Sequence, residues 1–195
     1  MKKRYYYTKL MEIIENGHKE YKAKAAEYAK LKQEREEGHF SMDYLQKVIL
    51  PEMSRIKSKL DDIQWNTKKA IAELTNEQKK AISALDRLNA EELTADAELL
   101  KGGYPLKVAD LEGIIERNAG NRTMEQLVLR YAEEHGLPLG LIYERAEEEA
   151  KTYDAINYAA DTVVKWYKDD ECYTNVLNSA FGDGSAVKAF IDSEE

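Results

Sequence analysis

The chain has 195 residues, 34% charged and 43% hydrophobic, with only three prolines and ten glycines to interrupt it, and alternating β-branched runs are nearly absent, so long helices are expected and sheet is excluded as the main architecture. A single cysteine, Cys172, excludes a disulfide framework or a cysteine-rich zinc site, and the lack of an apolar run long enough for a bilayer or a signal core gives the expectation of a cytoplasmic protein with no membrane partner. The net charge of −8 is uneven: residues 1–90 hold 19 Lys/Arg against 14 Asp/Glu and residues 91–195 hold 10 against 23, so the second half disfavours phosphate backbones and suits a basic partner, including the first half of another copy.

The first predicted helix runs from about Tyr5 to Glu37. Its apolar stripe, Leu10, Ile14, Gly17, Tyr21, Ala25, Tyr28 and Leu31, advances by threes and fours and so stays on one face. An unbroken heptad would substitute Lys24 for Ala25, so the coiled-coil register here is approximate. Gly17 and Ala25 are small enough for close approach by a second helix, and Gly38 is placed as the C′ stop.

Ser41 is the expected N-cap of a short helical piece, Met42 to Leu50, and Pro51 either kinks the helix or occupies the first turn of a new one. Beyond it the seam reads Ile49, Met53, Ile56, Leu60, Ile63, Thr67, Ala70, Leu74, Glu77, Ala81, Ala84 and Leu88 in strict four-three alternation. One helix from Pro51 to Glu91 would be roughly 60 Å long. Thr75 with Gln78 also reads as a capping box, which leaves a break near Thr75 as the alternative to one continuous helix.

Gly102-Gly103 and Pro105 mark a boundary. A helix follows at about Ala109–Arg117, then a turn at Gly120. Thr123 is the expected N-cap, with Gln126 completing a box, of a helix over Met124–His135 whose apolar positions are Met124, Leu127, Val128 and Tyr131 and which stops at Gly136 before Pro138. A long helix is placed over Leu139–Lys168 with the stripe Leu139, Tyr143, Ala146, Ala150, Tyr153, Asn157, Ala160, Val164 and Tyr167. Short helices at Glu171–Ala180 and Ser185–Ile191 close the chain, with Ser185 as N-cap. The predicted fold is therefore all-α: a long antiparallel helical hairpin, coiled-coil-like, over residues 1–100, and a smaller acidic helical bundle over 104–195.

Motifs that could carry chemistry are few. Glu15-x-x-His18 and Glu36-x-x-His39 have the spacing of bundle metal ligands, but they lie about six turns apart on one helix and cannot share an ion within one copy. Glu144, Glu147, Glu148, Glu149 and Asp154 crowd one helix with Arg145 and Lys151 at neutralising spacing, which reads as a solvated face. His18, His39 and His135 have no Ser or Cys partner in a recognisable motif, and there is no phosphate loop or dinucleotide fingerprint. Residues 109–136 have a helix-turn-helix outline, but Glu125, Glu133 and Glu134 against Arg130 give the wrong sign for DNA. The expectation is a protein that is not an enzyme, needs no cofactor or metal and does not bind nucleic acid directly.

Thirteen tyrosines favour protein contacts, because a tyrosine ring buries area while its hydroxyl stays wet. The candidate interaction residues are Glu144, Glu147, Glu148, Asp154, Tyr153, Trp166 and Tyr167.

The stretch Leu111-Glu112-x-x-Ile115-Glu116-Arg117-Asn118, then Thr123-Met124, then Tyr131-Ala132-Glu133-Glu134-His135 resembles small helical proteins of tailed phages and prophages of Gram-positive bacteria, over residues 109–136 only. The resemblance implies a phage or prophage origin and no catalytic residue. The acidic tail Asp192-Ser193-Glu194-Glu195 departs from the basic C-terminal helix typical of phage scaffolding proteins. Three functions fit: a self-associating protein–protein interaction module, an acidic DNA mimic that inhibits a host nucleic-acid enzyme or defence system, and a virion assembly component. The protein would accordingly act in a host cytoplasm or within a virion.

Overall fold

The computed structural model describes residues 2–85, 87–140 and 146–193. The protein is all-α, and no strand occurs among the described residues. Its helices are α1 (Lys3–Glu37), α2 (Met42–Tyr44), α3 (Leu50–Leu85), α4 (Asp96–Lys101), α5 (Val108–Arg117), α6 (Arg122–Glu134), α7 (Ala146–Lys165), α8 (Asp170–Phe181) and α9 (Ala186–Asp192). They fall into two compact units, Met1–Gln78 with Tyr153–Glu195, and Lys79–Thr152. This division differs from the expected break at Gly102-Gly103. Those glycines lie in a turn within the second unit, and the chain crosses between units inside α3 and α7.

In the first unit α1 and α3 form the antiparallel hairpin. Tyr6 faces Thr75, with the two hydroxyls 3.0 Å apart, and Gly17 lies against Thr67. Gly38 does end α1, but in an extended conformation (φ −83°, ψ 136°) and not as a left-handed C′ residue; its N–H bonds Glu34 O at 2.8 Å. Glycine is needed there for room, since a Cβ would strike Phe40 and the Glu34 carbonyl. Ser41 caps the next turn by accepting from Tyr44 N.

Pro51 occupies the first turn of α3, one of the two places expected for it. It lacks the N–H that the preceding turn would use, and its ring would crowd the carbonyl four residues back. The backbone widens into a π turn over Leu45–Ile49, with Leu50 N bonded to Leu45 O, and α3 follows directly.

α3 is continuous through Thr75, which settles the choice left open by the sequence, but it ends at Leu85 and not at Glu91. Leu88 is exposed and takes no part in the seam. The seam also departs from strict heptads. The buried positions are Ile49, Met53, Ile56, Ile63 and Thr67, then Ile71, Thr75, Gln78 and Ile82. From Thr67 onward they sit one residue later than Ala70, Leu74, Glu77 and Ala81. Three consecutive steps of four, from Ile63 through Thr67 and Ile71 to Thr75, form a stutter that rotates the buried face.

The stutter brings polar residues inward, where α7 offers them hydrogen-bond partners. Gln78 donates to the Tyr153 hydroxyl at 3.0 Å, Thr75 to Asn157 Oδ1 at 3.5 Å, and Gln64 to Val164 O at 3.0 Å. The chain order of these pairs makes α7 antiparallel to α3. It also touches α1: Tyr153 packs edge-on against Tyr6 at 4.8 Å, and the Tyr167 hydroxyl donates to Ile14 O at 2.6 Å. α7 therefore lies in the groove between the hairpin arms. α8 returns along α1, where His18 stacks on Tyr173 at 3.6 Å and Tyr7 donates to Phe181 O. Phe190 of α9 closes the end against Tyr153, with Lys3 over its ring. The acidic segment thus covers the basic hairpin within one copy.

The second unit packs α4, α5 and α6 around Ala97, Leu111, Ile114, Met124, Val128, Tyr131 and Ala132. The cap of α6 is Asn121, which accepts from Met124 N, and not Thr123. Thr123 is buried; its hydroxyl accepts from Asn89 N and donates to Glu92 Oε2 at 2.7 Å, holding the preceding loop. Asp96 accepts from Arg117 and Asn118 and fixes the start of α4. Those donors also hold its carboxyl below the usual carboxylate range. Gly136 (φ 65°) ends α6 in the left-handed conformation that favours glycine. Leu139 and Gly140 are not helical, so the helix expected from Leu139 does not begin there. Tyr143 lies outside the described residues.

Candidate interaction surface

The expected interaction residues do not form one surface. Tyr153 is fully buried and Tyr167 is 1% exposed. Both are held in the core by the bonds given above. Burial pushes the Tyr167 hydroxyl well above its ordinary range, with Tyr173 adding to the effect. They join helices and present nothing to a partner. Glu148 is exposed and paired with Lys151 at 2.7 Å, and Asp154 is also exposed. Trp166 is exposed beside Lys168, whose ammonium lies 6.0 Å from the ring. Glu144 and the side chain of Glu147 lie outside the described residues.

His18 is the one Glu-x-x-His histidine drawn into the packing. It hydrogen-bonds Asp170 at 3.2 Å, and Lys22 reaches the same carboxylate at 2.6 Å. Burial lowers the His18 pKa, against the pull of Asp170. Among the described residues no three His, Cys, Asp or Glu side chains converge as a metal site.

Two features missed from sequence stand out on the hairpin. The first is its tip. Met42 (70% exposed), Tyr44, Val48 and Leu50 present large apolar side chains within nine residues of the bend. Phe40 packs on Tyr44 at 5.2 Å, one turn before Val48. The π turn creates this cluster: it seats Ile49 inward while its neighbours Val48 and Leu50 point out. A signal was available in the apolar density of Met42–Leu50 beside a proline, but nothing local said which side chains would lack cover.

The second is a cleft of about 310 Å³ farther down the hairpin, walled by Tyr21, Ala25 and Tyr28 of α1 and by Lys57, Leu60 and Asp61 of α3, with Lys168 at its end. Partial burial raises the pKa of Tyr21, and Asp61 adds to it.

The acidic half is divided between the units: residues 91–152 belong to the second and residues 153–195 to the first. No helix of the described residues is long and apolar enough to cross a membrane. The chain matches no known protein-family model, curated protein or solved structure.

Proposed function

We propose that the protein is a non-enzymatic interaction module that associates with copies of itself through the tip of its hairpin. The observation that carries this reading is the row of exposed apolar side chains at the bend, Met42, Tyr44, Val48 and Leu50. Exposed apolar clusters are the surfaces that association covers most favourably. A second copy suits the tip because a two-fold contact needs a self-complementary patch. Asp43 and Lys47 pair at 2.7 Å on this turn, and Glu52 and Arg55 pair at 2.9 Å just beyond it, so each copy offers both signs beside the apolar row. Acidic mimicry of DNA has less support, because the carboxylates are divided between two units and Asp170 is paired with His18 and Lys22. A phage or prophage origin belongs to the same proposal and rests on the resemblance over residues 109–136.

Sedimentation velocity of the full chain through the micromolar range tests the reading. A dimer is expected, and the triple variant Met42→Ser, Tyr44→Ser, Val48→Ser should be a monomer of unchanged helicity. A wild-type monomer throughout, or a dimer indifferent to the triple variant, overturns it.

A further inference from the structure

We infer that Pro51 holds the hairpin tip in its self-associating form, by keeping open the π turn that decides which side chains the bend displays. The inference rests on the reading of the tip as a contact between copies and names the residue that governs that contact. In the turn Leu50 N bonds Leu45 O, and position 51 has no N–H, so neither of the usual backbone donors reaches Gln46 O. A regular α turn would direct Leu50 N to Gln46 O and would need an N–H at position 51 for Lys47 O. Proline supplies none, and in that turn its ring would meet the Lys47 carbonyl. The segment has no other obstacle to a regular helix. Leu45-Gln46-Lys47-Val48-Ile49 contains neither glycine nor a second proline, and Asp43 already pairs with Lys47 one turn on.

Register is what the turn controls. A π turn is an α-helix with one extra residue, so it shifts the phase of the chain before it by about 100° relative to α3. Ile49 is buried in line with Met53 and Ile56 of α3, and Leu45 is half-buried on the far side of the turn. With the turn closed as α, the helical repeat running back from Met53 through Ile49 would reach Met42 and carry it toward the seam. Tyr44, now packed on Phe40 at 5.2 Å, would rotate with it. The exposed grouping of Met42, Tyr44, Val48 and Leu50 therefore belongs to the π form alone.

Removing the proline separates association from folding, because the two should move in opposite directions. Full-length variants are compared by sedimentation velocity and by far-UV circular dichroism during urea unfolding. Pro51→Ala restores the missing donor and should close the turn. Helicity and unfolding midpoint should equal or exceed those of the wild type, while dimerisation weakens at least about tenfold. Deleting the exposed Gln46 from the Pro51→Ala protein takes out the extra residue. The Leu50–Leu45 bond then has α spacing, the phase on either side returns, and dimerisation should recover. That recovery distinguishes register from any contact made by the proline ring. Three results overturn the role of Pro51: a Pro51→Ala protein that dimerises as tightly as wild type, one that loses helicity, or a deletion that fails to restore the dimer. If the tip triple variant is still a monomer in any of these cases, the tip stands and Pro51 alone is retired; a wild-type monomer retires both.

Discussion

Replacing Gly17 by alanine tests the closest helix approach in the hairpin. An ideal Cβ there would collide with Thr67 Oγ1 and lie 2.9 Å from the Tyr167 hydroxyl, which donates to Ile14 O. On an open helix surface Gly→Ala stabilises by about 0.5–1 kcal/mol. Here overpacking costs about 1–3 kcal/mol, and displacing Tyr167 takes the acceptor from its buried hydroxyl for about 1–3 kcal/mol more. The opposing terms leave a net loss of about 3 kcal/mol. Gly113, in α5, supplies the contrast: its added Cβ would meet only Arg117 Nη1 at 3.4 Å, so Gly113→Ala should stabilise by about 0.5–1 kcal/mol.

Urea unfolding resolves the two. The chain's two tryptophans, Trp65 and Trp166, both belong to the first unit, so their fluorescence follows the hairpin, while far-UV circular dichroism sees both units. Gly17→Ala should lower the fluorescence midpoint, and adding Thr67→Ala should recover part of the loss. The Thr67 hydroxyl bonds Ile63 O within its own helix and also meets the Tyr167 hydroxyl, so Thr67→Ala measured alone is the reference against which the recovery reports coupling across the crossing. A Gly17→Ala protein as stable as wild type, or additive effects of the two changes, would refute the reasoning.

Three further outcomes follow from the same contacts. Thr75→Val removes the hydroxyl partner of buried Tyr6 and should cost about 1–3 kcal/mol by urea unfolding, with Tyr6→Phe added to it costing less than the sum of the two single changes. The folded pKa of His18 is below its ordinary 6.5, chiefly through burial, so the unfolded chain takes up the proton first. Its contribution is then complete above pH 6.5 and declines as pH falls below that value; midpoints measured from pH 7.5 to 5 should fall, and His18→Gln should flatten the trend. Burial raises Tyr6 and Tyr173 from 10.0 to about 12, so stability is retained below pH 10 and lost as pH rises from 10 towards 12. Tyrosinate absorbance should show a late step coincident with loss of helicity, and ionisation of all thirteen tyrosines before any helix melts would contradict it.

The hairpin was legible because its information is local. Leu10, Ile14 and Gly17 repeat with the helix period, and Ser41 and Ser185 are caps that bond within their own first turn. What escaped was decided by distant partners. After Thr67 two stripes compete on α3, an aliphatic one through Ala70, Leu74 and Ala81 and a mixed one through Ile71, Thr75 and Gln78. The mixed stripe is buried because Tyr6 and Tyr153 hold its polar groups. Thr75 looked like a helix start for the same reason that it works inside, since its hydroxyl seeks a partner. Thr123 has the chemistry of a cap, but a carboxylate from the loop, Glu92, claims its hydroxyl, and Asn121 caps α6 instead. Tyr153 and Tyr167 carry the composition of an interface, and they do form one, between helices of a single chain.

The polarity of the seam follows the number of helices that share it. Where α1, α3 and α7 meet, α3 can bury Thr67, Thr75 and Gln78, because a third helix brings hydroxyl and amide partners and the cost of burying polar groups is offset. Toward the tip only α1 faces α3, and the buried residues there are Ile49, Met53 and Ile56, which ask for no partner. The stutter at Thr67 lies beside the point where α7 leaves, next to Gly17 and Tyr167. The register change and the loss of the third helix therefore belong to one structural transition. Beyond it the hairpin is held by aliphatic contacts between two helices, with few buried side chains on α1, and such segments open locally at lower cost than a three-helix core. The apolar tip lies on that thinner part, where covering apolar surface has the most stability to add.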